Sequence, residues 1–396
     1  MARLTKEQLE QVKKKYGVDE LFSWSKVNCF MTSPYEFYLN YVLHKNPDRD
    51  DCAYAPMGGI THQVIEDYYS NKIEYDNMIK QFSDGWMTAI DIADLKFDRN
   101  DEVKNNNIKN KYKVDLEHFF NNHKRIENKV ELERFLAAKI GDYVLQGYAD
   151  AITKDEDGNF VIIDWKTSTK YDKKKLEEHS GQLTVYAIAL TQLGVPLEKI
   201  RCAFNFLKYC TVEYEQANGA VKTRDIERFE LGEKLQSNLK VWLKKLGYGD
   251  QMDDYLKMVI DTNGIECLPK DVQDKYKILD CYCFIDLNEK LVDKWNKEII
   301  ATIKDIEMRR KDYEETKNER IWWDSEDSVK EQSYYFSTLC GYSGTLHKPY
   351  GEYLEKLEAS KNNTDMFGGL LGSTPVTTNK DINNNTEVDL SWLDAI

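Results

Sequence analysis

Residues 143–167 read YVLQGYADAITKDEDGNFVIIDWKT, and the fold turns on this stretch. Two runs rich in β-branched and aromatic residues, 143–153 and 160–167, flank the polar segment KDEDGN with its Asp157-Gly158 pair. That pattern predicts a β-hairpin. Asp150 falls late on the first strand, and Asp164 and Lys166 lie on the second with Trp165 between them. Side chains alternate along a strand, so Asp164 and Lys166 project from one face. They end a run, Val161-Ile162-Ile163, that reads as fully buried, where a lone charge is costly unless a partner or a metal compensates it. Two carboxylates on adjacent strands can hold a hard divalent cation. A D-x-K triplet alone is common, however, and fits an ordinary salt bridge equally well.

Residues 3–16 read as a short charged helix. Residues 25–45 carry aromatics at helical spacing, with Ser33 as a cap and Pro34 in the first turn. Residues 58–70, GGITHQVIEDYYS, read as a helix after a Gly-Gly turn, with His62 and Glu66 on one face. The charged segment 71–140 is mostly helical in pattern, with an Asn/Lys-rich loop expected at 104–111. After the hairpin come Lys170, Lys173, Lys174 and Lys175, then a helix through 177–193 that carries Gln182 and Tyr186, then a strand at 200–214. Beyond 220 the chain reads as largely helical, with one strand at 278–287 and a long charged helix at 288–319. Residues 360–387 have the composition of a flexible linker.

The chain has 396 residues, 41% hydrophobic and 12% aromatic, which excludes wholesale disorder. A formal net charge of −14 excludes coating nucleic acid by bulk electrostatics, so any such contact must use local basic patches. The eight Cys are scattered, no apolar run is long enough to span a membrane, and no secretory signal opens the chain. The expectation is a cytoplasmic protein with reduced thiols and no membrane contact.

GYAD, a turn and then VIIDWKT resembles motifs II and III of the PD-(D/E)XK nucleases. It is most similar to the RecB-like branch, which includes AddB-type and CRISPR-associated RecB-like exonucleases. In that branch a His on an upstream helix precedes the hairpin and a Q-x-x-x-Y helix follows it. His62 in GGITHQVIE and Gln182 and Tyr186 in GQLTVYAIAL stand in that order. The resemblance implies an α/β fold: a restriction-endonuclease-like core with a small mixed sheet flanked by helices, plus a helical C-terminal part. It implies Mg²⁺ or Mn²⁺ held by His62, Asp150 and Asp164, with Asp150, Asp164, Lys166, Gln182 and Tyr186 as catalytic residues. The implied substrate is DNA, and exonuclease action in recombination, repair or replication is favoured, as in stand-alone phage members. Glu66 either orients His62 or is an ordinary surface acid, and the lysines after the hairpin either meet phosphate or form a solvated loop. The alternatives are a catalytically idle, DNA-binding or scaffold protein with a nuclease fold, and a nuclease-fold protein that acts on RNA.

The domain expectation is a helix at 1–21, a nuclease core at 22–215 with an insertion at 71–130, a helical part at 216–355 folding back on the core, and a flexible tail at 356–396. Many relatives carry a four-Cys iron–sulfur cluster. Here Ser33, Ser337 and Leu346 stand at three of the expected positions and only Cys340 remains, so the cluster is expected to be absent. Cys281 and Cys283 are expected on opposite strand faces, a poor chelate, and read as packing. The terminal VDLSWLDAI is acidic with spaced apolar residues, which suits docking on a replication or recombination protein or folding back on the chain itself.

Overall fold

The computed structural model describes residues 3–50 and 52–368, of which 361–368 as backbone only; the terminal peptide at 388–396 lies outside the described residues. The chain forms two compact units. One comprises the residues up to Trp24 together with Ala53–Glu298, and the other Ser25–Cys52 together with the chain from Ile299.

The first unit is built on a mixed sheet of seven strands flanked by helices. These are β1 (Phe22–Ser23), β2 (Glu131–Ile140), β3 (Tyr143–Lys154), β4 (Phe160–Lys166), β5 (Ile200–Glu215), β6 (Val221–Glu227) and β7 (Tyr276–Phe284). The order is β1-β3-β4-β5-β6, with β2 also on β3 and β7 also on β5. The expected hairpin is β3–β4, antiparallel from Lys154↔Phe160 to Ala151↔Ile163. There the pairing stops, and the strands part just before Asp150 and Asp164. β4 meanwhile stays parallel to β5 along its whole length, from Phe160↔Ile200 to Lys166↔Phe206. Flanked on both sides, it buries Val161 through Trp165.

Two strands lie where helix was expected. β2 pairs with β3 from Glu131↔Ile152 to Ile140↔Tyr143 and buries Leu132, Leu136, Ala138 and Ile140 at even spacing. Charged residues between them imitate a helical pattern. β6 buries only Ile226 and is held by its ladder with β5, so it carries no apolar period to read.

Before the hairpin lie α1 (Lys6–Tyr16), α2 (Trp24–Thr32), α3 (Pro34–Phe37), α4 (Tyr54–Tyr69), α5 (Met78–Trp86) and α6 (Glu102–Asn122). After β4 come α7 (Lys173–Glu178) and α8 (Gly181–Gln192), two helices where one was expected. Then follow α9 (Leu231–Lys245), α10 (Met252–Thr262), α11 (Lys270–Gln273), α12 (Glu289–Thr316), α13 (Glu326–Glu331) and α14 (Lys348–Gly368).

The expected Gly-Gly turn is absent: Gly58 and Gly59 lie inside α4, where a side-chain carbon on Gly58 would meet Thr167 at 3.7 Å. The expected loop at 104–111 is also helical. Asp101 caps α6 by accepting from the Lys104 N–H at 2.9 Å, and buried Asn105 accepts from the N–H groups of Phe97 and Asp98. Its polar composition thus serves capping and a buried contact. At the other end, the expected flexible tail from 356 begins as helix, since α14 runs to Gly368. Among the described residues, no helix is long and apolar enough to cross a membrane.

Candidate active site

Asp150 and Asp164 stand where β3 and β4 part, and the peptide groups of Trp165 bridge the opening. The Trp165 N–H donates to Asp150 Oδ2 at 3.0 Å, and the Trp165 carbonyl oxygen lies 2.8 Å from His62 Nε2. A carbonyl can only accept, so Nε2 carries a proton and Nδ1 keeps its lone pair in the neutral ring. Nδ1 lies 3.5 Å from Asp150 Oδ2. Two acceptors facing each other at that range require a proton or a cation between them. Burial pushes the Asp150 carboxyl up to about 7, with Asp164 adding to the rise and His62 opposing it.

The Trp165 indole is buried, with its plane at 89° to the His62 ring and stacked on Tyr69 from α4. Asp164 is 4% exposed. Its Oδ2 pairs with Lys166 Nζ at 3.0 Å, yet the approach is not that of a hydrogen bond and the oxygen makes none. Lys166 Nζ also sits 5.8 Å over the Phe204 ring. From α8, Tyr186 donates its hydroxyl to the Tyr148 carbonyl at 2.8 Å, and Gln182 Nε2 donates to that hydroxyl at 3.2 Å. Burial raises the Tyr186 phenol well above its usual range. Gly147 makes this approach possible: a side-chain carbon there would lie 2.8 Å from the Tyr186 oxygen.

The structure therefore brings His62 to Asp150, Asp164 to Lys166, and Gln182 to Tyr186 beside β3. Among the described residues no three His, Cys, Asp or Glu side chains are gathered as a metal-holding cluster, and Asp164 pairs with Lys166. The donor types nonetheless fit a hard divalent cation. An imidazole nitrogen and a carboxylate oxygen face each other as acceptors, and a second carboxylate keeps a buried oxygen without a hydrogen bond.

Glu66 does not orient His62: among the described residues it makes no hydrogen bond to the ring, and the Trp165 carbonyl takes that part. Burial, and then the charge of Glu133, hold the Glu66 carboxyl above its usual range. Glu133 lies across from Asp150, between the pairs Leu132↔Ala151 and Arg134↔Ala149, with a left-handed φ of 44°. Of the lysines after the hairpin, Lys170 pairs with Asp225 at 2.9 Å and Lys174 with Glu178 at 3.4 Å, while Lys173 is exposed on α7. Cys281 and Cys283 share one face of β7, as residues two apart on a strand must, and not opposite faces as expected.

In the second unit Ser33 caps α3 and donates its hydroxyl to Asp324 at 2.9 Å, with His347 Nε2 3.1 Å away. All three are buried, as is Cys340, whereas Ser337 is half-buried. The part of Trp165 was not readable in the sequence, since a peptide group leaves no residue-type signal.

A search of the curated proteins finds no match to this chain. A family model for the PD-(D/E)XK nuclease superfamily matches residues 21–318, well over half of the chain and the whole of the site described above. The chain belongs to the PD-(D/E)XK nuclease superfamily.

Proposed function

We propose that this protein is a metal-dependent deoxyribonuclease that degrades DNA from ends, in recombination, repair or replication. The observation that carries the reading is the facing pair His62 Nδ1 and Asp150 Oδ2, 3.5 Å apart, with the far side of each group tied to the Trp165 peptide. Ligating imidazoles are commonly fixed through their other nitrogen in this way. His62, Asp150 and Asp164 would hold Mg²⁺ or Mn²⁺. When bound, the cation supplies polarisation of the scissile phosphate and acidification of a water molecule.

The chain's own residues do the rest. The Trp165 peptide keeps His62 in the tautomer with a free Nδ1. Lys166, held at the site by Asp164, places an ammonium where charge develops on the phosphoryl oxygens. Gln182 and Tyr186 border β3 and would position the substrate strand. No iron–sulfur cluster is part of the proposal, since Ser33 spends its hydroxyl on Asp324 and its acceptor capacity on the cap of α3.

A second reading, an idle nuclease-fold protein that only binds DNA, is favoured by one observation: Asp164 is already satisfied electrostatically by Lys166. End-labelled linear and closed circular DNA, each with and without Mg²⁺, separate the readings. The nuclease reading expects Mg²⁺-dependent loss of the linear DNA alone, abolished in Asp164→Ala. Cleavage of both forms would make it an endonuclease. Binding without cleavage in Mg²⁺ and Mn²⁺ would establish the idle reading.

A further inference from the structure

We propose that Tyr69 is a positioning residue for this site: it holds the Trp165 peptide in the orientation that aligns His62 with Asp150. The proposal rests on the metal-dependent reading above.

Trp165 is the common element of the site, since its N–H binds Asp150 and its carbonyl binds His62. The N–H and the carbonyl belong to the two peptide groups on either side of the Trp165 Cα, so a small shift of the backbone at this residue would disturb both contacts. β4 is paired with β5 at this level, but its partner on the other side, β3, has already left. The pairing with β5 holds the backbone from one side, and the ring of Trp165 offers a second handle on it. Tyr69 stacks on that ring with centroids 6.2 Å apart and planes at 30°.

Tyr69 is itself fixed at every polar atom. Its hydroxyl lies 3.1 Å from His123 Nε2 and accepts from the Ile126 N–H at 3.0 Å. His123 Nδ1 lies 3.1 Å from Asp280 Oδ2, and Asp280 Oδ1 accepts from Arg228 Nη2 at 2.8 Å. Arg228 Nε in turn donates to the Leu207 carbonyl at 2.9 Å. One proton assignment satisfies the whole chain. Asp280 is charged and accepts from His123 Nδ1–H, leaving His123 Nε2 to accept from the tyrosine hydroxyl. Burial works against that charge, but His123 and Arg228 hold the Asp280 carboxyl below the usual carboxylate range. His123, Arg228 and Tyr69 are 4%, 1% and 8% exposed, so water cannot readily replace these contacts. The anchor runs from the β5 backbone at Leu207 and from β7 at Asp280 to α4, and α4 also carries His62.

The experiment uses full-length protein without metal and then titrated with Mn²⁺. Tyr69→Leu should weaken Mn²⁺ affinity by about 10-fold in calorimetry, the scale on which outer-shell partners of metal ligands act. In metal-free protein its His62 nitrogen resonances should change from one Nε2–H tautomer to a mixture. Tyr69→Phe, which keeps the ring and loses the anchor, should fall between. Adding Asp280→Asn to Tyr69→Leu should change neither readout further, because the link is already broken. A Tyr69→Leu protein that melts lower yet keeps wild-type Mn²⁺ affinity and a single His62 tautomer would overturn the proposal. If the wild type binds no Mn²⁺, the nuclease reading fails by itself, and the metal-free tautomer comparison still decides the role of Tyr69.

Discussion

His62 Nε2 lies 2.8 Å from the backbone carbonyl of Trp165, a residue 103 positions away in the chain. One peptide group on a β-strand thus selects the tautomer of a histidine on a helix. The same residue's N–H holds Asp150. The contact gives His62 a role that its position on α4 alone does not, and the site's chemistry depends on neighbours as much as on the named side chains.

The pair of Asp164 and Lys166 makes a stability prediction that is independent of catalysis. Both side chains are largely buried and their charged groups lie 3.0 Å apart. Lys166→Met should destabilise the metal-free protein by about 3–5 kcal/mol, because it leaves a buried carboxylate uncompensated. Adding Asp164→Asn should restore most of that loss in urea unfolding. Equal stability of the single and double variants would remove the pair from the account.

Asp115 on α6 should make stability depend on pH. It is fully buried, its Oδ1 accepts from the Phe229 N–H at 2.7 Å and its Oδ2 has no partner. Burial pushes its carboxyl up to about 8, whereas an unfolded Asp titrates near ~4. The folded state therefore binds the proton more tightly. Its contribution is fully present below ~4 and is lost as pH rises towards 8. Asp115→Asn should melt increasingly above the wild type as pH is raised from ~4 to about 8, the range bounded by these two values. A melting difference that stays constant with pH would exclude this group as the cause.

Gly147 should tolerate no side chain while Tyr186 keeps its hydroxyl. A side-chain carbon at Gly147 would sit 2.8 Å from the Tyr186 oxygen and 3.0 Å from its ring. Gly147→Ala should cost about 1–3 kcal/mol through overpacking and lower cleavage by moving Tyr186 and Gln182. Adding Tyr186→Phe removes the closest atom and should recover part of the stability. Thermal melts of the two variants side by side give the answer.

In the second unit, Ser33 both caps α3 and donates to Asp324. Ser33→Ala should cost about 1–3 kcal/mol, from the lost cap and the buried groups left unpaired. Protein purified without oxygen should contain no stoichiometric iron. Metal analysis showing iron with sulfide would mean that other cysteines supply a cluster.

The hairpin was legible because its signals are local. The Asp157-Gly158 turn, the β-branched runs and the Asp-x-Lys alternation need no knowledge of the rest of the chain. β2 and β6 were not legible. β2 hides a two-residue apolar period under charged residues, and β6 has hardly any apolar face, so only pairing with β3 and β5 makes them strands. The Asn/Lys-rich 104–111 misleads for a related reason: Asn105 is buried by hydrogen bonds to Phe97 and Asp98 that lie outside its own helix.

The sequence by itself determined the α/β class, the β3–β4 hairpin and the identity of the ionisable residues on it. These follow from side-chain alternation and turn chemistry, which act over a few residues. Only the tertiary structure decided where β3 and β4 part, that the opening is bridged by the Trp165 peptide, and that Tyr69, His123 and Asp280 stand behind it. Those contacts join backbone groups and side chains far apart in the chain. Their geometry is set by packing in three dimensions, which no local pattern records.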